Sequence, residues 1–389
     1  MGPVLFFVLY IRDTLIEENI LTHTPERLSR LRAAMCEQGI DVLYVRGLSN
    51  ISWATGFERV FDDEPAHALV VSAHSCVLHT DSRYFDAMES AAADTDIEVD
   101  NGRIAHSAVL AKVSDSIGAG NVRVGIEDSL TLAEYRALQR AFEGRAIDLV
   151  ELSGFVEALR QGKDDSEIAA MRMAQSITDA AFAKIIAFIK PGMTEREVQL
   201  QLDRYMYEGG AEGLAFGTIV ATGAHAASPH AIPGETKLAL GDAVVMDFGA
   251  RYAGYCSDMT RTVFVGEPSD EVRRAYGAIR RANEECEAML RAGLSGADVH
   301  QHAEAVLEEE GFGGAMGHSL GHSVGLDIHE APNLSPKNPK ALCAGNVVTV
   351  EPGIYLTGKF GMRLEDFGVV REASYEVFTQ STHEMIIIS

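Results

Sequence analysis

Two segments in the second half of the chain resemble each other, and this repeat limits the possible folds more than any other feature. The segments are KPGMTEREVQLQLDRYMYEGGAEG and RAGLSGADVHQHAEAVLEEEGFGG. Each contains a glycine, then a capping-box pattern (Thr194 with Glu197, and Ser295 with Asp298), a helical stretch and a glycine-rich end. A strand pattern follows each helix, GDAVVMDFG in the first copy and GNVVTVEPG in the second. The repeat therefore predicts two copies of one α/β unit.

Aligning the two strand patterns places Asp247 opposite Glu351. Each copy would then carry a carboxylate at the end of an equivalent strand, facing a shared interface. Residues 241–262 extend this pattern, because a second apolar run follows the first after a Gly-containing turn and begins just after Asp258. Strand, turn and strand predict a hairpin that brings Asp247 and Asp258 together. Two carboxylates in apolar surroundings repel each other unless a cation lies between them. The alternative is that each Asp only caps a turn.

Residues 23–155 alternate between strand and helix patterns, which is typical of an α/β domain. The strands are predicted at residues 42–45, 68–72, 76–79 and 122–126, and helices begin near Thr24, Arg83 and Leu132. A polar stretch at residues 156–165 predicts a linker, and residues 166–389 form the second domain. Residues 1–22 are an N-terminal extension of uncertain role. Their apolar run has nine residues, which is too short to span a bilayer. A wrongly chosen start codon and a strand used in assembly are both explanations for it.

Charge and cysteine content exclude several classes of function. The formal net charge of −24 argues against nucleic acid or an anionic membrane as a partner. The five cysteines are scattered and form no CxxC pair, which indicates reduced thiols and a cytoplasmic protein.

Three further candidates join the paired aspartates: His322, Glu351 and Glu365. Four carboxylates balance the charge of two divalent cations. Hard oxygen ligands with a single nitrogen suit Mn²⁺, Co²⁺ or Fe²⁺ better than a structural zinc. Two such ions are a common arrangement for activating water against a carbonyl.

The motifs around these residues resemble those of the Xaa-Pro aminopeptidase and prolidase family. The matching stretches are GTIVATGAHAASPH, DFGARYAGYCSDMTRT, GHSLGHSVGLDIHE, VEPGIY and GMRLED. The resemblance covers the whole second domain and extends more loosely to the first. It implies a fold of the α/β (α+β) class: a creatinase-like N-terminal α/β domain followed by a pita-bread catalytic domain with an internal pseudo-two-fold repeat.

The resemblance also implies a role for each matching residue. Asp247 would bind one metal, His322 and Glu351 the other, and Asp258 and Glu365 both. The ions implied are two divalent cations, most commonly Mn²⁺, with Co²⁺, Zn²⁺ and Fe²⁺ as alternatives.

Residues beyond the metal ligands also have implied roles. Glu351 would shuttle a proton, while His230 and His329 would contact the substrate carbonyl or the tetrahedral intermediate. His318 would line the substrate pocket, and Arg363 would hold a bridging carboxylate and a substrate carboxylate. The alternatives are that His318 is a core histidine and that Arg363 is only an ion-pair residue.

The sequence departs from the family pattern at two positions, and two of its histidines have no role in that pattern. Ser323 stands where many members have glycine, and Phe367 replaces a usual polar residue, so both put substrate preference in doubt. His300 and His302 lie on a predicted helix with no matching role, and we expect them to be exposed.

The function predicted from the sequence is a dinuclear Xaa-Pro aminopeptidase acting on proline-containing peptides, in a cytoplasmic protein that forms a homodimer. The first alternative is a prolidase that accepts only dipeptides. A hydrolase of small amides and a catalytically inactive binding protein on the same fold are the remaining alternatives.

Overall fold

The protein is described by a computed structural model that covers residues 24–62, 64–118 and 120–389. The predicted extension at residues 1–22 lies outside these described residues. The chain divides into two compact units, with the boundary between Arg160 and Gln161.

The first unit is an α/β structure, as the alternating patterns predicted, and its sheet has six strands, of which four were predicted. Its helices are α1 (Thr24–Glu37), α2 (Leu48–Thr55), α3 (Phe85–Ala92), α4 (His106–Ser116), α5 (Leu132–Ala141) and α6 (Phe155–Arg160). Its strands are β1 (Val42–Val45), β2 (Ala68–Ser72), β3 (Cys76–His79), β4 (Glu98–Asp100), β5 (Val122–Glu127) and β6 (Ile147–Leu152). The strand order is β4-β3-β2-β1-β5-β6, and β2 is antiparallel to both of its neighbours. The central strands β1 and β2 are buried along their whole length, which explains their unbroken apolar runs.

Residues 156–165, predicted as a linker, are structured. Helix α6 occupies the first half of this segment. Beyond it, Gly162 forms an isolated β-bridge with Asn346. The polar composition of the segment reflects helix capping, because Asp164 caps the next helix with a complete capping box.

The second unit contains four long helices and several small sheets. The helices are α7 (Asp165–Phe188), α8 (Glu195–Glu208), α9 (Asp270–Met289) and α10 (Gly296–Glu309). The strands are β7 (Gly213–Leu214), β8 (Ile219–Thr222), β9 (Ala243–Phe248), β10 (Ala250–Tyr252), β11 (Tyr255–Cys256), β12 (Met259–Val265), β13 (Gly321–Ser323), β14 (Glu330–Leu334), β15 (Val347–Val350), β16 (Gly353–Leu356), β17 (Phe360–Arg363), β18 (Asp366–Val370), β19 (Tyr375–Val377) and β20 (Ile387–Ile388).

The predicted internal repeat is present in this unit. Helices α8 and α10 both begin with the predicted capping box. Just before each helix, a glycine in the left-handed region donates to a carbonyl of the following segment: Gly192 to Leu238 at 2.8 Å, and Gly293 to Leu342 at 2.9 Å. The same backbone connections therefore recur around different side chains.

The hairpin predicted at residues 241–262 has an additional element inside it. Strands β9 and β12 pair antiparallel, as the predicted hairpin requires, and the residue opposite Asp247 is Thr260. Their connection is not a simple turn, because β10 and β11 form a small hairpin of their own between them. The second half repeats this arrangement, with the hairpin β16–β17 inserted between the paired strands β15 and β18. Each half thus places carboxylates on both sides of an inserted hairpin.

Three smaller predictions can be compared with the structure. The expectation that His300 is exposed was wrong: the residue is buried, and its Nδ1 accepts a hydrogen bond from the Leu320 amide. It follows Val299 on the core-facing side of α10, so the helix pattern already favoured burial. His302 is half-buried beside Glu285.

All five cysteines are free. Among the described residues, no helix is both long and apolar enough to cross a membrane.

Candidate metal centre

A cavity of about 630 Å³ lies within the second unit, where the paired strands of the two halves end. Its apolar wall includes Phe216, Ile219 and Ile328. The site residues predicted from the sequence all line this cavity: His230, Asp247, Asp258, His318, His322, His329, Glu351, Arg363 and Glu365.

Asp258, His322 and Glu365 form a compact cluster in the cavity. One potential ligand atom from each residue lies within 4.8 Å of the others. Asp258 precedes β12, His322 lies on β13 and Glu365 precedes β18, so both halves contribute. The three side chains can bind a single cation together.

Asp247 and Glu351 line the same cavity as this cluster. Glu351 Oε1 and Asp258 Oδ2 are each 3.5 Å from His322 Nε2. Asp247 ends the apolar part of β9, and Glu351 directly follows β15. The repeat alignment of these two positions therefore corresponds to two equivalent strand ends at one cavity.

Two threonines that sequence reasoning missed orient the carboxylates. Thr260 Oγ1 donates to Glu365 Oε2 at 2.6 Å, and Thr349 Oγ1 donates to Glu351 Oε1 at 3.2 Å. Thr349 Oγ1 also accepts from the His322 amide at 3.0 Å, which connects two of the candidate ligands. Both threonines lie within two residues of a candidate ligand, in the motifs DMTRT and TVEPG, and this proximity was the available signal.

The backbone sets the tautomer of His322. Its Nδ1 is 3.1 Å from the Ser323 carbonyl oxygen, which can only accept, so Nδ1 carries the proton. The lone pair of Nε2 then faces Asp258 and Glu351. An imidazole that donates through one nitrogen and offers the other is the usual arrangement of a metal-ligating histidine.

Burial shifts the protonation of the cluster in the metal-free protein. Burial, followed by repulsion from neighbouring carboxylates, raises the pKa values of Asp258 and Glu365 well above their usual range. Burial also raises the pKa values of Asp247 and Glu351, against the attraction of Arg363. Burial lowers the pKa of His322, which favours the neutral imidazole that a metal requires.

Arg363 lies among the carboxylates and is almost completely buried. Its Nη2 donates to Asp247, its Nε donates to Thr260 Oγ1 at 2.8 Å, and its Nη1 donates to Tyr355 Oη at 2.9 Å. Its Nε is also 3.9 Å from Glu365 Oε2, the predicted bridging carboxylate. All three guanidinium nitrogens therefore have partners inside the protein.

His318 reaches the same network through Tyr355. The His318 Nδ1 donates to the Ser319 carbonyl at 2.8 Å, and its Nε2 is 3.2 Å from Tyr355 Oη. Because Tyr355 Oη accepts from Arg363, its proton is free to be donated to His318. Tyr355 is the main site residue that the sequence did not indicate, although it stands in the quoted motif VEPGIY.

His230 and His329 lie at more exposed positions of the cavity wall. The rings of His329 and His322 are 4.4 Å apart, edge to face. Burial lowers the pKa of His329. Both imidazoles can therefore face a ligand that occupies the cavity.

The donor set fits divalent cations. Carboxylate oxygens with one imidazole suit hard or borderline metal ions, and four carboxylates carry the charge of two such ions. One atom supports this fit directly, because Asp247 Oδ1 is buried without a hydrogen-bond partner. A buried carboxylate oxygen with no donor is costly unless a cation binds it.

A repeated α/β unit with a carboxylate and imidazole cluster at its centre defines a metal-dependent hydrolase. Comparison with known families agrees, since residues 169–372 match the metallopeptidase family M24 and residues 27–161 match the creatinase/prolidase N-terminal domain. The chain belongs to metallopeptidase family M24 and is a metallopeptidase of the pita-bread fold. Members of this family use divalent metal ions, which agrees with the cluster described above.

Relatives cover nearly the whole chain. An uncharacterized peptidase of Bacillus subtilis, YqhT, is 34% identical over 93% of this chain and 100% of its own length. An Xaa-Pro dipeptidase from Bacillus anthracis is 37% identical with a TM-score of 0.86, covering 94% of this chain and 99% of its own. An X-Pro aminopeptidase from Thermotoga maritima is 34% identical with a TM-score of 0.82, covering 93% and 100%. Solved relatives thus include both dipeptidases and aminopeptidases.

Proposed function

We propose that this protein is an Xaa-Pro aminopeptidase that binds two divalent metal ions, most favourably Mn²⁺. The observation that carries the proposal is the convergence of Asp258, His322 and Glu365 within 4.8 Å, with Asp247 and Glu351 beside them in one cavity. Asp247 would hold one ion, His322 and Glu351 the other, and Asp258 and Glu365 both. When bound, the ions supply Lewis acidity and lower the pKa of water to near neutrality.

The side chains around the ions carry out the proton transfers and the positioning. Glu351 accepts a proton from the attacking water and delivers it to the leaving proline nitrogen, since its carboxylate faces the open cavity. His230 and His329 donate hydrogen bonds to the oxygen that gains charge at the scissile carbonyl. His318, held by Ser319 and Tyr355, contacts the bound peptide.

Arg363 already has hydrogen-bond partners inside the protein, and this favours an aminopeptidase over a strict dipeptidase. An Xaa-Pro dipeptide ends in a carboxylate next to the scissile bond, and burying that charge requires a cation. Among the described residues that line the cavity, Arg363 is the one lysine or arginine. Three of its five N–H groups already donate to Asp247, Thr260 and Tyr355, which reduces its capacity to bind a further carboxylate. A peptide that continues past the proline has no carboxylate at that point.

The second candidate is a prolidase, favoured by the similarity to the dipeptidase from Bacillus anthracis. Steady-state kinetics of the Mn²⁺-loaded protein on an Xaa-Pro dipeptide and an Xaa-Pro-Yaa tripeptide separate the two. We expect a higher kcat/KM for the tripeptide. A higher value for the dipeptide would favour prolidase, and no turnover of either would reject both.

The Asp258→Ala variant tests the metal assignment. It should lose both metal binding and turnover, because Asp258 is proposed to contact both ions. The matched control is Asp94→Ala, an exposed aspartate of the first unit that should behave like the wild type. Retained activity in Asp258→Ala would contradict the bridging role. The cytoplasmic location and the homodimer stay predictions.

A further inference from the structure

Lys163 is a buried cation that none of the roles above uses. Its side chain is only 1% exposed, and it directly precedes Asp164, the cap of α7. Its backbone amide donates to the Gly345 carbonyl at 2.9 Å, next to the bridge between Gly162 and Asn346. Lys163 is therefore anchored at the beginning of β15, the strand that leads to Glu351.

The Lys163 ammonium group contacts two residues of another hairpin. Its Nζ donates to Glu330 Oε2 at 3.0 Å and to Ser323 Oγ at 3.2 Å. The Glu330 side chain is 8% exposed, so the two opposite charges meet out of water. Buried ion pairs gain little or no net stability over apolar side chains of similar size, because both charges lose their hydration. Stability alone therefore does not account for this pair.

Both contacts of Lys163 adjoin residues of the metal centre. Ser323 and Glu330 are paired across strands β13 and β14, and they close a turn that has His322 directly before it and His329 at its end. Ser323 follows His322 and supplies the carbonyl that accepts from its Nδ1 at 3.1 Å.

Glu330 follows His329 and holds the intervening turn. Its Oε1 accepts from the Asp327 amide at 3.1 Å. A side chain at Gly325 would overlap this carboxylate, which shows how closely the turn packs around it.

We propose that Lys163 is a positioning residue for the metal centre, acting through Ser323 and Glu330. The ammonium group fixes the base of the β13–β14 hairpin. It thereby holds the Ser323 carbonyl against His322 Nδ1, and it sets the separation between the His322 and His329 rings. This inference rests on the proposed metal ligation by His322. It assigns a function to a residue that lies far from the cavity motifs in the sequence.

The test measures Mn²⁺ affinity by titration calorimetry on chelator-treated protein, together with thermal unfolding and the kcat and KM of the reloaded enzyme. Lys163→Met removes the cation beside the buried Glu330 carboxylate, so this variant alone would not separate a loss of stability from a loss of positioning. The double variant Lys163→Met with Glu330→Gln removes both charges and is the decisive one. The control is Lys190→Met, which replaces an exposed lysine that follows α7.

The double variant should fold and yet bind Mn²⁺ about 10- to 100-fold more weakly, the usual cost of losing the support of a metal ligand. Its kcat should fall, while Lys163→Arg should recover part of the affinity. A folded double variant with wild-type affinity would overturn the proposal, because Lys163 would then only stabilise the fold. If the wild type binds Mn²⁺ but hydrolyses no Xaa-Pro peptide, the proposed function fails, and the titrations still decide the role of Lys163.

Discussion

In the first half of the second unit, the residue after the helix cap is Glu195, whereas the equivalent residue in the second half is Gly296. Glu195 is fully buried, and its carboxylate accepts from the Thr222 amide at 2.9 Å, from His225 Nδ1 at 2.8 Å and from the Gly234 amide at 3.1 Å. A side chain at Gly296 would instead overlap a backbone carbonyl. The same backbone frame therefore holds a buried charge in one half and excludes any side chain in the other.

This difference follows from what each half carries. The first half presents His230 on the connection between residues 222 and 234, and the amides at both of its ends donate to Glu195. The second half presents His322 on strand β13, whose backbone pairs with β14 and β15. A loop lacks a backbone ladder, so a buried side chain supplies the missing acceptors. Two copies of one fold can thus fix a site residue in two ways.

Removal of the metal ions should produce the largest effect, because each half contributes two of the four buried carboxylates. A ligand present at about 1,000 times its Kd stabilises a fold by about 4 kcal/mol, and chelation should remove that amount. The loss should increase with pH. The folded, metal-free protein has raised carboxyl pKa values, so its stability is highest at low pH and is lost as the pH rises through them.

Urea unfolding of chelated and Mn²⁺-loaded protein at pH 5.5 and pH 8 measures this effect. The gap between the two forms should be wider at pH 8. An equal gap at both pH values would mean that burial and mutual repulsion do not raise the carboxyl pKa values in the folded, metal-free protein.

Substitution of Gly361 should have the next largest effect, because this residue joins the two halves. It lies on β17 of the second half, and an added Cβ would overlap the carbonyl of Ala226 in the first. We expect Gly361→Ala to lower the free energy of unfolding by about 3 kcal/mol, as overpacked sites do. It should also reduce kcat by shifting the loop that carries His230.

The matched control is Gly277→Ala in the middle of α9, where an added Cβ meets no atom. This change should stabilise the protein by about 0.5–1 kcal/mol, since glycine is a poor helix residue. Urea unfolding measures both variants. A neutral Gly361→Ala would show that the halves can separate slightly without cost.

Much of this fold followed from patterns in the sequence. Unbroken apolar runs such as that of Val42–Val45 gave the correct strand bounds, because both faces of a central strand are buried. The capping boxes at Thr194 and Ser295 located two helices. The inserted hairpins β10–β11 and β16–β17 were missed, since their strands have only two to four residues and lack the alternation that predicts a strand.

The candidate site also contains residues that the sequence indicated and residues that it did not. Carboxylates and histidines in distinctive motifs could be selected from the sequence, and the structure brings all of them to one cavity. Lys163 and Glu195 could not be selected in this way, because their partners are distant along the chain. In the sequence, Lys163 stands in a polar stretch, and Glu195 is one of two acidic residues in the first turn of a helix. Only the fold shows that both are buried.

Replacement of Glu195 by glutamine should have an intermediate effect. Glutamine keeps the size of the side chain, but its amide nitrogen would face a backbone N–H or His225 Nδ1, so at least one buried donor loses its acceptor. Such a loss costs about 2 kcal/mol. We expect unfolding to be easier by that amount, and kcat to fall about tenfold as His230 loses its position.

Glu235→Gln is the control, because Glu235 is an exposed residue that follows the same loop. Kinetics on an Xaa-Pro tripeptide and urea unfolding give the two readouts. A Glu195→Gln variant that loses stability but keeps its kcat would show that the loop does not depend on the carboxylate for its active conformation.

The capping boxes should give the smallest effect, and the same one in both halves. Thr194 and Ser295 each accept from the amide of the third helical residue at 3.1 Å, although the first residue after the cap is Glu195 in one half and Gly296 in the other. Thr194→Ala and Ser295→Ala should each lower the free energy of unfolding by about 1 kcal/mol and leave kcat unchanged. The two caps have different hydrogen-bond partners, so the double variant should lose the sum of the two. A loss of unfolding free energy twice as large for Thr194→Ala as for Ser295→Ala would mean that Glu195 contributes to helix initiation as well as to the loop. The two repeat halves would then not be equivalent at their caps.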